Sequence, residues 1–302
     1  MNQPCSCTII GGGLIATAGA LTMERQGIAV TVVTRAPPPI GGDSIVWSYG
    51  DVSSNAARAA VEGTDCVVYA AGSLGPATTL ATVHGAITEE ILPVVQIAER
   101  AARAGTKTFV FISSGGTVYG PAAPIPTTED ASTAPINIYG SVKVLTEMAL
   151  LEVGRKYGIT VVILRISNPY GPGQSGTRRL GFIAAAIKAS LTRQPIVIWG
   201  DGSATRDFVF IDDVGAALAA AACYRGSSAV LNIGSGQEMS LIDVCNIVSS
   251  TGSAPLEIRF DMGRAFDVPR SCLNIDRAAA VLGWQPEISI EEGIARTMSK
   301  FL

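Results

Sequence analysis

The chain has 302 residues, 48% hydrophobic and 16% charged, with 22 Lys+Arg against 25 Asp+Glu for a formal net charge of -3. That apolar content excludes a disordered chain, and a slightly acidic balance without a basic run excludes nucleic acid as a partner. Mean hydropathy is high, +0.36, yet no apolar run reaches the ~18 residues of a membrane span, and the richest stretch, 208–223, is interrupted by Asp212 and Asp213.

In chain order, short β-branched runs alternate with Ala-rich stretches. Residues 8–10 predict a strand, 14–26 a helix, 29–34 a strand, 56–62 a helix, 66–70 a strand, 89–103 a long helix and 108–113 a strand. A second long helix follows over 138–157, then a strand over 160–165. This βαβ rhythm with almost continuously apolar strands predicts an α/β fold, a doubly wound parallel Rossmann sheet covered by helices on both faces. Beyond Asn168 the texture turns to Gly/Pro/Arg-rich loops, a helix over 183–191 and a short apolar run over 195–199, which predict a smaller C-terminal α/β lobe. The expected division is a dinucleotide-binding domain over 1–167, with 205–235 returning to it, and a substrate-binding lobe over 168–204 and 236–302.

Six cysteines match neither a zinc site nor a disulfide framework, and His84 is the only histidine, which argues against a serine-hydrolase triad or a His-rich metal centre. No metal is expected. The N-terminus lacks the charged and long apolar regions of a signal peptide, so a cytoplasmic protein is expected.

Gly11-Gly12-Gly13-Leu14-Ile15-Ala16 fits G-x-G-x-x-A, directly after a strand and opening a helix. Without side chains, such a loop lets backbone amides approach a pyrophosphate at a helix N-terminus. The second strand ends Val33-Thr34-Arg35, where an acidic residue would select NAD; Arg35 leans toward the 2′-phosphate of NADP. Tyr139 and Lys143 are four residues apart and share one helical face. A Lys cation beside a phenol favours the phenolate, which can then exchange a proton with a sugar hydroxyl.

Around this pair run Phe111-Ile-Ser-Ser-Gly-Gly-Thr-Val-Tyr-Gly120, Arg165-Ile-Ser-Asn-Pro-Tyr-Gly-Pro-Gly-Gln174, Gly200-Asp-Gly-Ser-Ala-Thr-Arg-Asp-Phe-Val-Phe-Ile-Asp-Asp213, Leu231-Asn-Ile-Gly-Ser-Gly236 and Leu282-Gly-Trp-Gln-Pro286. On these motifs the chain resembles the extended short-chain dehydrogenase/reductases, in particular the nucleotide-sugar epimerase/dehydratase family and its UDP-glucose 4-epimerase-like members. The resemblance implies that Gly11, Gly13, Leu14, Ile15, Arg35, Asp51, Val52, Ala70, Ala71, Gly72, Ser113 and Ile166 line a site for NAD or NADP. It implies Tyr139 as acid/base, with Lys143 also holding the nicotinamide ribose. Asn168, Arg206 and Arg264 would hold a nucleotide diphosphate, two guanidinium forks suiting that group. A homodimer through a four-helix bundle is also implied.

Departures from the family pattern qualify this reading. Ile10 and Ala16 stand where glycines are usual, and Glu90 falls near a usual Asn. Gly115 occupies the position of the usual catalytic hydroxyl, so Thr117 is expected to donate to the substrate oxygen, and Ser113 or Ser114 to touch the cofactor. The Asp-Glu pair of a 4,6-dehydratase is missing, with Gly116 and Thr117 in its place. The expected reaction is therefore C4 epimerisation of a UDP-sugar through a 4-keto intermediate. The alternatives are an NADPH-dependent 4-keto-sugar reductase and an idle dinucleotide-binding regulator.

Overall fold

The computed structural model describes residues 5–36, 42–75, 82–121, 123–174, 181–252, 255–263 and 268–301. Its first half runs β1 (Ser6–Ile10), α1 (Leu14–Arg25), β2 (Ala29–Thr34), β3 (Val46–Tyr49), α2 (Asn55–Ala60), β4 (Cys66–Tyr69), α3 (Val83–Gly85), a π-helical segment (Ala86–Ile91), α4 (Leu92–Arg103), β5 (Thr108–Ser114), α5 (Gly115–Val118), α6 (Ile138–Tyr157) and β6 (Thr160–Ile166). The second half runs β7 (Asn168–Tyr170), α7 (Phe182–Thr192), β8 (Ile196–Trp199), β9 (Thr205–Arg206), β10 (Phe208–Phe210), α8 (Ile211–Cys223), β11 (Ala229–Ile233), β12 (Met239–Ser240), α9 (Leu241–Thr251), β13 (Ile258–Asp261), α10 (Asp276–Leu282) and α11 (Ile290–Ser299).

Among the described residues seven strands form one parallel sheet in the order β11-β6-β5-β4-β1-β2-β3. This is the Rossmann α/β architecture that the apolar strands predict. Both faces are covered. One core lies between the sheet and helices α1 and α8, with Ile9, Val32, Val68 and Leu164 fully buried. The other lies against α4 and α6, where Phe109 and Phe111 fill the space and Leu150 meets them. Each such side chain contributes about 2 kcal/mol by leaving water. No helix among the described residues is long and apolar enough to cross a membrane.

The helix that positions the Tyr–Lys pair is set at both ends by sequence. Asn137 Oδ1 accepts from Gly140 N at 2.9 Å, which caps α6. Gly158, at φ 71°, takes the left-handed conformation that ends it. The other long helix begins earlier than the expected 89–103, because α3 and the π-helical segment continue into α4 over 83–103. Strand β3 also goes beyond the expected elements; it is a sheet edge with exposed Val46 and Tyr49.

Beyond β6, short pairs build the second lobe: β7 with β10, β9 with β12, and β8 with β13. Asp207 fastens it to the main sheet. Fully buried, its carboxylate accepts from Ser235 N and Oγ at 2.7 and 2.8 Å and from Leu273 N at 3.1 Å.

Candidate active site

The carboxyl ends of β1, β4, β5 and β6 converge on one side of the sheet, where an open α/β sheet binds its ligands. Gly11 follows β1 at φ 123°, and a Cβ there would lie 2.8 Å from Ala71 N and 2.9 Å from the Ala70 carbonyl carbon. Only glycine allows this approach of the first loop to Ala70, Ala71 and Gly72. A Cβ at Gly13 would meet nothing within 4 Å, and Gly13 begins α1 with no side-chain cap. The first amides of a 12-residue helix therefore face an open cradle shaped by glycine, which fits a pyrophosphate. Leu14 and Ile15 open that helix half-buried, and Leu14 reaches toward Gly173 of the loop after β7.

Past β2, Arg35 is exposed. The Asp51 carboxyl is held below its ordinary range, first by hydrogen bonds from Ser53 N and Oγ and also by the Arg35 charge. Val52 packs half-buried against the α4/α6 side of the core. The Ile166 side chain, by contrast, lies in the core, so only its backbone is available to a ligand.

At the end of β5 the two serines part. Ser113 is buried and its hydroxyl donates to the Glu147 carboxylate. Strand alternation turns Ser114 the other way, toward the Tyr139 phenol, whose rise it opposes. A side chain at position 115 would crowd its neighbours. A Cβ there would lie 2.5 Å from Leu273 Cδ1 and 3.0 Å from the Arg165 carbonyl oxygen. Thr117 is buried and its Oγ1 has no hydrogen-bond partner. Gly140 brings it close to Tyr139, since a Cβ at 140 would lie 2.6 Å from the Thr117 carbonyl oxygen.

Lys143 Nζ donates to Ile112 O at 2.8 Å and lies 4.7 Å from the Phe111 ring centroid and 5.7 Å from that of Tyr139. Burial lowers its pKa to about 8, against the opposing charges of Glu90 and Glu147. Burial also raises the Tyr139 phenol above its ordinary range; the Ser114 hydrogen bond opposes this and the Glu90 charge adds to it. The expected lowering of the phenol by Lys143 is therefore not the dominant effect. Burial prevails.

Asn168 stands beside this group, its Nδ2 about van der Waals distance, 4.0 Å, from where a Cβ at Gly116 would be. Its backbone N and Nδ2 both donate to Asp207 O at 3.0 Å, which places it next to Arg206. Arg206 Nη1 donates to Thr205 O at 2.7 Å. Asp207, the alternative ion-pair partner of Arg206, is instead held by Ser235 and Leu273. Arg264 lies outside the described residues.

A parallel sheet with a glycine-shaped dinucleotide cradle and a Tyr–Lys pair at its carboxyl edge defines an enzyme of the extended short-chain dehydrogenase/reductase class. More narrowly, the chain belongs to the NAD dependent epimerase/dehydratase family, which matches residues 7–234. It is 37% identical over 214 residues to the UDP-glucose 4-epimerase of Mycolicibacterium smegmatis, covering 71% of this chain and 68% of that one. Among solved structures it is similar to the UDP-glucose 4-epimerase of Thermotoga maritima with UDP-glucose, at 27% identity and TM-score 0.89 with 98% of each chain covered. It is also similar to MoeE5 in complex with UDP-glucuronic acid and NAD, at 28% identity and TM-score 0.88, covering 97% of this chain and 98% of that one.

Proposed function

We propose that this protein is an NAD-dependent nucleotide-sugar 4-epimerase acting on a UDP-hexose. The observation that carries the reading is the Ser114–Tyr139–Lys143 group with the partnerless hydroxyl of Thr117 beside it, and Gly116 and Thr117 where a dehydratase would need an acid pair. When bound, the nicotinamide supplies the acceptor and donor of the hydride. Tyr139 takes the proton of the C4 hydroxyl and returns it after the opposite face of the 4-keto sugar has been presented. Ser114 holds the phenol, and Thr117 Oγ1 donates to the C4 oxygen. Lys143 supplies positive charge beneath the pair and a donor for the nicotinamide ribose. Without an acid pair to remove the C5 proton and protonate a C6 leaving group, reduction at C4 is the remaining outcome.

Gly11, Gly13 and the first turn of α1 hold the pyrophosphate of the cofactor, Asp51 and Val52 its adenine end, and Ala70, Ala71 and Gly72 the wall of the cleft. Asn168, Arg206 and Arg264 anchor the sugar nucleotide. NAD is preferred to NADP because the Arg35 charge is shared with Asp51 and because MoeE5 was solved with NAD. The six free cysteines support a reducing cytoplasm.

A homodimer is supported by a row of exposed apolar side chains on neighbouring helices. These are Leu145 and Met148 on α6, Ile87 on the π-helical segment and Leu92 on α4. Such a face suits a second copy of the same helix pair.

Tyr139→Phe tests the chemistry. It removes the proton-carrying oxygen and leaves the cradle intact, so C4 inversion falls by about 10²–10⁴-fold with NAD affinity retained. Turnover at the wild-type rate would overturn the assignment.

A further inference from the structure

Glu90 is the charged group of the site that the reading above does not use. The π-helical segment Ala86–Ile91 carries it to the mouth of the cleft, half-buried. π-Helical turns commonly mark functional positions, because the extra residue redirects a side chain. There its Oε1 accepts from Ser73 N at 3.2 Å and from Ser73 Oγ. Its Oε2 is 3.8 Å from where a Cβ on Gly72 would stand. The carboxylate thus clasps the end of the cofactor wall, 70–73, on one side. The π-helical segment that carries it packs against α6.

We propose that Glu90 is a positioning residue that holds the 70–73 wall to the π-helical segment packed on α6 and sets, through its negative charge, the pH window in which the Tyr139–Lys143 pair works. The inference rests on the epimerase reading for the identity of the reaction. The titratable groups on which the Glu90 charge acts are Tyr69 from β4 and Tyr139 and Lys143 from α6; Asp51 also acts on Tyr69, and Glu147 also acts on Lys143. On its own segment Glu89 precedes it, with His84 a turn and a half earlier.

The sign is the same for both members of the pair. An anion disfavours the phenolate of Tyr139 and favours the ammonium of Lys143, so it raises both. Burial raises the phenol and lowers the amine, so Glu90 adds to the first effect and offsets part of the second. Because the two groups interact, the limbs of a pH–rate bell belong to the pair, and removing Glu90 moves both limbs the same way.

The test compares Glu90→Gln, Glu90→Asp and Ser73→Ala in the full-length protein with NAD. Two readouts are taken: the pH profile of C4 inversion, and the ultraviolet titration of the Tyr139 phenolate, isolated by subtracting Tyr139→Phe. Glu90→Gln shifts both limbs and the phenolate titration to lower pH, by on the order of one unit. Glu90→Asp keeps the charge and restores the wild-type profile. Ser73→Ala removes the hydroxyl half of the clasp with the charge kept, so it raises the KM for NAD with the bell unmoved. A Glu90→Gln profile and phenolate titration that superimpose on wild type would overturn the proposal. A wild-type protein without turnover would instead sink the epimerase reading, while the phenolate titration still decides the role of Glu90.

Discussion

Beneath the site, Arg165 and Glu147 form an ion pair whose removal gives a large and signed prediction. The two residues are 6% and 3% exposed. Arg165 Nε donates to both carboxylate oxygens at 3.2 Å and Nη2 to Oε2 at 2.7 Å, while Nη1 reaches Tyr119 OH at 2.9 Å. Ser113 Oγ also donates to Glu147. In Glu147→Met the guanidinium keeps only the Tyr119 contact, and a buried charge without its counterion costs about 3–5 kcal/mol. At ~2–4 °C per kcal/mol this lowers the melting temperature by roughly 6–20 °C. The double variant Glu147→Met/Arg165→Met removes both charges and replaces them with apolar side chains, so it recovers most of that loss. Calorimetry on both variants with the wild type is the assay. A Glu147→Met melting temperature within about 1 °C of wild type, or a double variant less stable than the single, would refute the reasoning.

The remaining predictions concern the site and its assembly. Gly11→Ala forces an L residue to φ 123° and into the Ala71 amide, so NAD binding measured by calorimetric titration weakens by at least about tenfold. Thr117→Val removes a hydroxyl that has no partner to lose, so the melting temperature holds while kcat for C4 inversion falls about 10–100-fold. On the proposed homodimer, light scattering finds a dimer for the wild type and a monomer for Leu145→Glu/Met148→Glu, which places charge on the exposed α6 face; a monomeric wild type would remove the proposal.

How much of this was readable beforehand differs element by element, for physical reasons. Helix α6 matches the expected 138–157 because its limits are local signals, the Asn137 cap and the left-handed Gly158. The parallel sheet was legible because strands buried on both faces are apolar throughout. Strand β3 escaped, since Val46-Trp47-Ser48-Tyr49 is a short edge with two exposed members that looks like loop. The early start of the second long helix was also hidden: it passes through a π-helical segment that breaks the 3.6-residue period.

The site was legible as a set of residue types and not as an arrangement. Ser113 and Ser114 could not be told apart, because alternation fixes that they face opposite ways while only the register with Arg165 and Ile166 fixes which way. Gly115 read as a missing hydroxyl; its contact with Leu273, 158 residues later in the chain, explains it as a packing requirement. Glu90 was visible as a departure, but its bond to Ser73 and the reach of its charge to Tyr139 and Lys143 exist only in three dimensions.

The central claim is tested most directly by following UDP-glucose by NMR in the presence of the protein and a trace of NAD. The expected result is that the C4 epimer accumulates to an equilibrium mixture with no net reduction of the nicotinamide, and that Tyr139→Phe does not catalyse it. No C4 inversion of UDP-glucose, its N-acetylamino analogue or UDP-glucuronic acid, or turnover that consumes one NADPH per sugar, would contradict it.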